Sequence, residues 1–218
     1  MKTEASVGGR APLPDCPLCP RLVEYRELNR SSHPEWFNAP VPCFGPLDAK
    51  LLIVGLAPGV RGANRTGRPF TGDYAGTLLF ETLLKFGLAE GHFEARPDDG
   101  LVLRGVRIVN AVRCVPPANL PLPIEIRTCN QFLATELAAL KNVRAILTLG
   151  VVAHGALLRA VGLSVSRLKF RHGQVVELPT GLVLADSYHV SRYNTNTGLL
   201  TTAMFEDVVA ALVERLSR

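Results

Sequence analysis

No stretch of this chain is long and apolar enough to cross a bilayer. The longest apolar runs, Leu51 to Ala57 and Ala145 to Ala153, fall far short of the roughly 20 residues a spanning helix requires. The N-terminus also lacks the apolar core of a secretory signal. Both absences point to a soluble protein. Equally missing are a glycine loop closed by Gly-Lys-Ser/Thr and a Gly-x-Gly-x-x-Gly turn, so ATP-type and NAD-type sites have no support. A carboxylate set for a catalytic metal is not found either, which leaves a nucleotide-hydrolysing enzyme without its parts. Internal repeats and low-complexity tracts are absent. Lysine is scarce, with 5 residues against 19 arginines, in a chain carrying a net charge of +5 and a pI near 9.1. Arginine grips phosphate and carboxylate in bidentate fashion, so an acidic polymer is a fitting partner. A charge excess of this size is equally compatible with ordinary solvated surface.

The five cysteines, without a signal peptide, suit a reducing cytoplasm, where paired cysteines more often bind metal than each other. Four of them fall into two clusters, Cys16-x2-Cys19 and Cys114-x14-Cys129. Two thiolates from one turn can share a metal, and a second pair from a distant loop can complete a four-sulfur set. Zinc ribbons usually repeat the short spacing, whereas iron-sulfur sites tolerate the longer one. Buried free thiols are the plain alternative. Cys43, in Pro42-Cys43-Phe44-Gly45, has no partner at short spacing and reads as a spare buried thiol or a substitute ligand.

With 47% hydrophobic residues, 218 residues suffice for one substantial core. Residues 1–14 mix Gly, Ala, Pro and charge without period and read as a flexible leader, with a single domain over 15–218. Lys50 to Leu56, Val106 to Val112, Ala145 to Leu149 and Val183 to Ala185 have the character of buried strands. Helical spacing runs from Cys19 through Leu22, Tyr25 and Leu28, and over Thr77 to Phe86, Ile124 to Leu140, the Ala/Leu-rich stretch to Val161, and Leu200 to Leu216. A hairpin is expected around Gly173 and Gly181. Alternating strands and helices predict an α/β fold: three layers, α/β/α, around a central, mainly parallel sheet. Ligand sites in such sheets lie at the carboxyl ends of the strands, which here feed the loops Gly55 to Gly76, Asn110 to Asn119, Gly150 onward and Asp186 to Gly198.

Those loops hold the chemistry. Gly55-Leu56-Ala57-Pro58-Gly59 permits a sharp turn and close approach of backbone to a ligand. In Gly67-Arg-Pro-Phe70-Thr-Gly-Asp73-Tyr-Ala-Gly76, Phe70 offers a stacking surface or a core side chain, and Asp73 a functional carboxylate or a helix cap. Asn110 ends an apolar strand, where its amide must find partners; donor and acceptor on one side chain suit a base edge, and an Asx turn is the bland alternative. Asn119 reads as a turn residue. His189, in a segment crowded with hydrogen-bonding groups just after a buried strand, can donate to developing negative charge or serve structure alone.

Taken in order, these motifs resemble the iron-sulfur uracil-DNA glycosylases over nearly the whole chain from Cys16 onward. That group has an early Cys-x2-Cys, Gly-x-x-Pro-Gly, Gly-Arg-Pro-Phe-x-Gly, a strand ending in Asn before Cys-x-Pro-Pro, a further cysteine about fifteen residues on, and a late His motif. The matching segments are Cys16/Cys19, Gly55 to Gly59, Gly67 to Gly72, Asn110 to Pro117, Cys129 and His189 to Gly198. Gly-Leu-Ala-Pro-Gly is similar to the family 5, or type B, branch, since family 4 carries an acidic residue where Leu56 stands. Val190 departs from the commoner His-Pro-Ser. The resemblance implies a uracil-DNA glycosylase-like fold, a 4Fe-4S cluster on Cys16, Cys19, Cys114 and Cys129 in a structural role, and a monomer acting on DNA that holds uracil or related damaged bases. It implies hydrolysis of the N-glycosidic bond by catalytic Asp73, Asn110 and His189, with Gly55, Leu56, Ala57, Gly59 and Phe70 around the base. Arg192 and Tyr193 are the expected DNA wedge. The rival expectation is a metal-containing module that binds nucleic acid without cleaving it, favoured by the missing polar side chain at Leu56.

Overall fold

The computed structural model describes residues 11–217; the leader expected over residues 1–14 therefore lies largely outside the described residues. Helix α1 (Pro20–Ser32) starts with proline at its first position, where no backbone donor is wasted, and its first turn bonds back to the Cys19 carbonyl. Strand β1 (Leu51–Gly55) follows the irregular stretch expected from its Pro and Gly content. The short α2 (Ala63–Thr66) and then α3 (Ala75–Lys85) come next, followed by β2 (Ala89–Glu90), β3 (Val102–Leu103) and β4 (Val106–Asn110). After a single 3-10 turn at Pro117–Asn119 come α4 (Pro123–Ala139), β5 (Ala145–Leu149) and α5 (Val151–Ala160). The chain finishes with β6 (Val175–Glu177), β7 (Val183–Ser187), α6 (Arg192–Asn196) and α7 (Thr202–Ser217).

Five strands form one sheet in the order β4-β1-β5-β7-β6, parallel throughout except for the antiparallel edge strand β6; β2 and β3 make a separate antiparallel pair. The three-layer expectation is met, and side-chain alternation explains how. Leu51 and Ile53 of β1, with Ile108 and Leu147, face a layer built from Leu79, Phe80 and Leu83 of α3 and Phe205, Val209 and Leu212 of α7. Leu52 and Val54, with Val109 and Ile146, point the other way onto Leu22 of α1, Leu133 of α4 and Leu157 of α5. All five β1 residues are buried, as a central strand covered on both faces must be. Each such fully buried Leu or Phe contributes about 1.5–3 kcal/mol.

The parallel strands bring their carboxyl ends to one rim. Gly55 and Asn110 are register partners there, and Leu149 pairs with Ser187. The outer side of β4 is occupied by a bridge in which Phe44 and Ile108 exchange backbone hydrogen bonds at 3.0 and 2.7 Å. Among the described residues no helix is long and apolar enough to cross a membrane.

Candidate active site

A cleft at the rim, about 270 Å³ counting its open mouth, is lined by Ala57, Pro58, Gly59, Ala63, Phe70, Asp73, Ala75, Asn110 and His189. Three of the four carboxyl-end loops thus meet in one place. Gly55 makes this possible by having no side chain: a Cβ there would lie 2.4 Å from Asn110 Oδ1 and 2.6 Å from Phe70 Cζ. Asn110 and Phe70 are packed over the end of β1 because that position is bare.

Asn110 is buried, and its Oδ1 has no hydrogen-bond partner. An unpartnered buried acceptor costs about 1–3 kcal/mol, so the fold holds open a bonding position that a ligand can fill. Phe70 lines the cleft, with its ring centre 6.2 Å from that of His189 and tilted by 32° to it. Its backbone is left-handed, φ 54°, a conformation that costs a phenylalanine about 1–2 kcal/mol. A buried clamp holds it there. The Arg68 guanidinium makes two bonds to the Asp99 carboxylate at 2.8 and 2.7 Å and a third to Thr71 Oγ1 at 2.7 Å, and it sits over the Phe44 and Phe80 rings. Asp99 is itself buried, which opposes its charge, yet Arg68 and the Glu94 and Leu101 N–H groups prevail and hold the carboxyl down at about 2. The turn that presents Phe70 is therefore pinned by an ion pair on the side away from the cleft.

Asp73 has one buried oxygen, Oδ1, without a partner. Burial pushes its carboxyl above the usual range, while the Ala75 and Gly76 N–H groups at the start of α3 pull it back only in part. Gly59 and Gly62 leave room for it, since a Cβ on either would stand 2.8 and 2.1 Å from Asp73 Oδ2. His189 follows β7 and is held by its carbonyl, which accepts a 2.7 Å bond from Asn194 Nδ2. Burial lowers its imidazole to about 4, so at neutral pH the ring is uncharged and can donate one N–H.

A second cavity, about 340 Å³ with its mouth, is lined by Cys16, Cys19, Cys114 and Cys129 together with Arg26, Val112, Arg113 and Phe132. The two cysteine pairs, a hundred residues apart in sequence, share one space. Cys114 and Cys129 are pushed up to about 12 and about 11, first by burial and then by neighbouring thiols, with the Arg113 N–H drawing Cys129 back through a 3.4 Å bond. Among the described residues no three Cys, His, Asp or Glu side chains converge as ligands of a single ion. A bidentate pair, Arg21 with Glu125 at 2.8 and 2.7 Å, ties α1 to the first turn of α4 beside this cavity. Cys43 stands apart, accepting a 3.1 Å bond from Arg113 Nη1.

Residues 42–213 match the model of the uracil DNA glycosylase superfamily. The chain belongs to that superfamily. Among its relatives is a type-5 uracil-DNA glycosylase of Thermus thermophilus, 48% identical over 200 residues, which are 89% of this chain and 90% of the relative. Proteins of the same name from Pyrobaculum aerophilum and Mycobacterium leprae are 40% identical over 90% of this chain and 41% identical over 92%, covering 87% and 94% of those relatives.

Of the positions expected in this glycosylase superfamily member, Ala57, Gly59, Phe70, Asp73, Asn110 and His189 are brought together in the cleft, with Gly55 directly beneath. Leu56 lies outside the lining; its carbonyl accepts the Val112 N–H at 3.0 Å and thereby joins the first loop to the segment after Asn110. Arg192 and Tyr193 sit on α6, exposed at the surface, with Tyr193 73% exposed and the Arg192 guanidinium 5.5 Å from the centre of the Tyr74 ring. Sequence reasoning missed the Arg68–Asp99 clamp, whose partners are 31 residues apart, and the role of Gly62. Its one signal in the sequence was a further glycine three residues beyond Gly59, in a loop already rich in glycine.

Proposed function

We propose that this chain excises uracil from DNA by hydrolysing the N-glycosidic bond, leaving an abasic site, and that residues 15–218 act as one catalytic unit and as a monomer. The observation that carries the reading is the unpartnered Asn110 Oδ1 at a cleft shared with Phe70 and a neutral His189. Uracil presents an N3–H donor between two carbonyl acceptors. Asn110 Oδ1 accepts from N3–H while Nδ2 donates to O4; cytosine, with an acceptor at N3 and donors at its N4 amino group, leaves both amide groups opposed by like groups. A base extruded from the stack at a cost of a few kcal/mol is received on the Phe70 ring. His189 donates to O2, where charge collects as the C1′–N1 electron pair departs with the base.

The sugar left behind is cationic at C1′ and is captured by water, whose oxygen bonds to C1′ and whose proton passes to Asp73 or to solvent. Asp73, as the carboxylate, stabilises the cation and orients that water through its unpartnered oxygen. Leu56, apolar and outside the lining, leaves the task to Asp73 alone. Arg192 and Tyr193 on α6 fill the gap in the duplex.

Cys16, Cys19, Cys114 and Cys129 would hold a 4Fe-4S cluster. Four sulfurs around a common cavity, without convergence on one point, fit a cluster better than a tetrahedral zinc with Zn–S near 2.3 Å. Its contribution is structural cross-linking of α1 to the loop after β4, and no step of the reaction passes through it. Thiols kept free for such a site suit a reducing cytoplasm.

The test is incubation with uracil-containing oligonucleotides and a panel of other deaminated bases, followed by alkaline cleavage of abasic sites. Strand scission at uracil is expected; no product with any base defeats the proposal. A brown protein containing iron and sulfide is expected, and a colourless one with stoichiometric zinc after anaerobic preparation would overturn the cluster.

A further inference from the structure

Arg26 takes no part in the chemistry of the cleft, yet it is one of the few arginines that the fold buries. It projects from α1 into the cysteine cavity and is 3% exposed. Its Nη1 donates to the Cys16 carbonyl at 3.2 Å, but its Nε has no hydrogen-bond partner. The Glu27 carboxylate, at 3.7 Å from that nitrogen, is beyond hydrogen-bonding reach and itself half exposed. A guanidinium is always charged, and a buried cation is tolerated only where a countercharge meets it. The four thiols become that countercharge when they bind metal, because each ligates as thiolate.

We propose that Arg26 is the internal counter-ion and hydrogen-bond donor of the thiolate-held iron-sulfur cluster, a positioning residue that sets how firmly the cluster is kept and how easily it is reduced. This rests on the cluster assignment above. A neighbouring cation favours the more negative, reduced form of a cluster, and an N–H aimed at ligand or cluster sulfur raises the potential further. Removing Arg26 must therefore favour the oxidised form and loosen iron.

The parent protein, Arg26→Lys and Arg26→Gln are prepared anaerobically, iron and sulfide are counted, and reduction is followed by EPR-monitored redox titration alongside release of iron to a chelator. Arg26→Lys is expected to stay within about threefold of the parent in both readouts. Arg26→Gln is expected to move the one-electron equilibrium at least tenfold toward the oxidised cluster, about 59 mV, and to release iron faster. Unchanged potential and iron release in Arg26→Gln overturn the inference and leave the cluster assignment standing; a parent protein without iron and sulfide overturns both. Should Arg26→Gln fail to fold, the parent decides the matter: with guanidino-15N arginine, the reduced cluster should show a 15N coupling that Arg26→Lys abolishes, and its absence refutes the proposal.

Discussion

Gly55→Ala adds one methyl group at the point where Asn110 and Phe70 close over the end of β1. The new carbon would stand 2.4 Å from Asn110 Oδ1, 2.6 Å from Phe70 Cζ and 2.9 Å from Phe70 Cε2, each well inside contact distance. Relief requires both side chains to retreat by about 1 Å, given ordinary carbon contacts of about 3.5–4.0 Å. Neither has an easy way out, since Phe70 belongs to the main core cluster and Asn110 is buried. Overpacking of this kind costs about 1–3 kcal/mol of stability, which for a chain of this size lowers Tm by about 2–4 °C per kcal/mol. Catalysis should suffer more, because a reacting geometry displaced by about 1 Å loses about 10²-fold. Single-turnover cleavage of a uracil-containing duplex under saturating enzyme measures the second quantity, and thermal unfolding the first. Phe70→Leu in the same chain removes the ring carbons that the methyl meets and should recover part of the lost stability without restoring stacking. Full activity in Gly55→Ala with an unchanged Tm would refute the argument that a bare position at the end of β1 is what seats Asn110 and Phe70.

Other outcomes follow from the same geometry. Asn110→Ala and His189→Ala should each reduce single-turnover excision by about 10²–10³-fold while duplex binding, read by fluorescence anisotropy, is largely kept; unchanged turnover in both would remove them from the site. Asp73→Ala and Asp73→Asn should both slow capture of the sugar, and the amide should be the better folded of the two because burial already disfavours the charge. For His189, the folded value near 4 lies below the ordinary 6.5, so as pH falls the unfolded chain takes up the proton first. Its stabilising contribution is complete above about pH 6.5 and is lost progressively down to about 4. His189→Asn should flatten that part of the denaturant-midpoint profile, and an unaltered slope would contradict the burial of the ring. Asp99 works at lower pH: the drop from 3.8 to about 2 corresponds to about 2 kcal/mol of stability, present above pH 4 and lost as pH falls to 2, and Asp99→Asn should abolish that step.

The strands of the main sheet were readable because β1, β4, β5 and β7 are short uninterrupted apolar runs, and the periodicity of α3, α4 and α7 placed the outer layers. The site was readable to the extent that its residues sit in motifs at strand ends, which is why Asn110, Phe70 and His189 meet as expected. Short elements without an apolar run carry no signal, so the two-residue strands of the β2/β3 pair and the polar α6 were invisible in the sequence. Contacts over long separations were invisible for a different reason: nothing local in Arg68 or Asp99 announces a buried ion pair between them. Leu56 shows the limit of motif reading at single-residue scale, since a motif places its loop at the rim without saying which of its residues line the cleft.

Both margins of the main sheet are blunted. On one side the Phe44 bridge consumes the backbone groups of Ile108, and the Val41 N–H bonds the Arg113 carbonyl at 2.8 Å just beyond, so the outer rim of β4 is already partnered by its own chain. On the other, β6 offers only three residues, Val175–Glu177, running against the rest. Open margins are where foreign strands add and aggregates grow. This sheet gives an incoming strand little to template on at either side, so neither margin invites a second copy to add a strand.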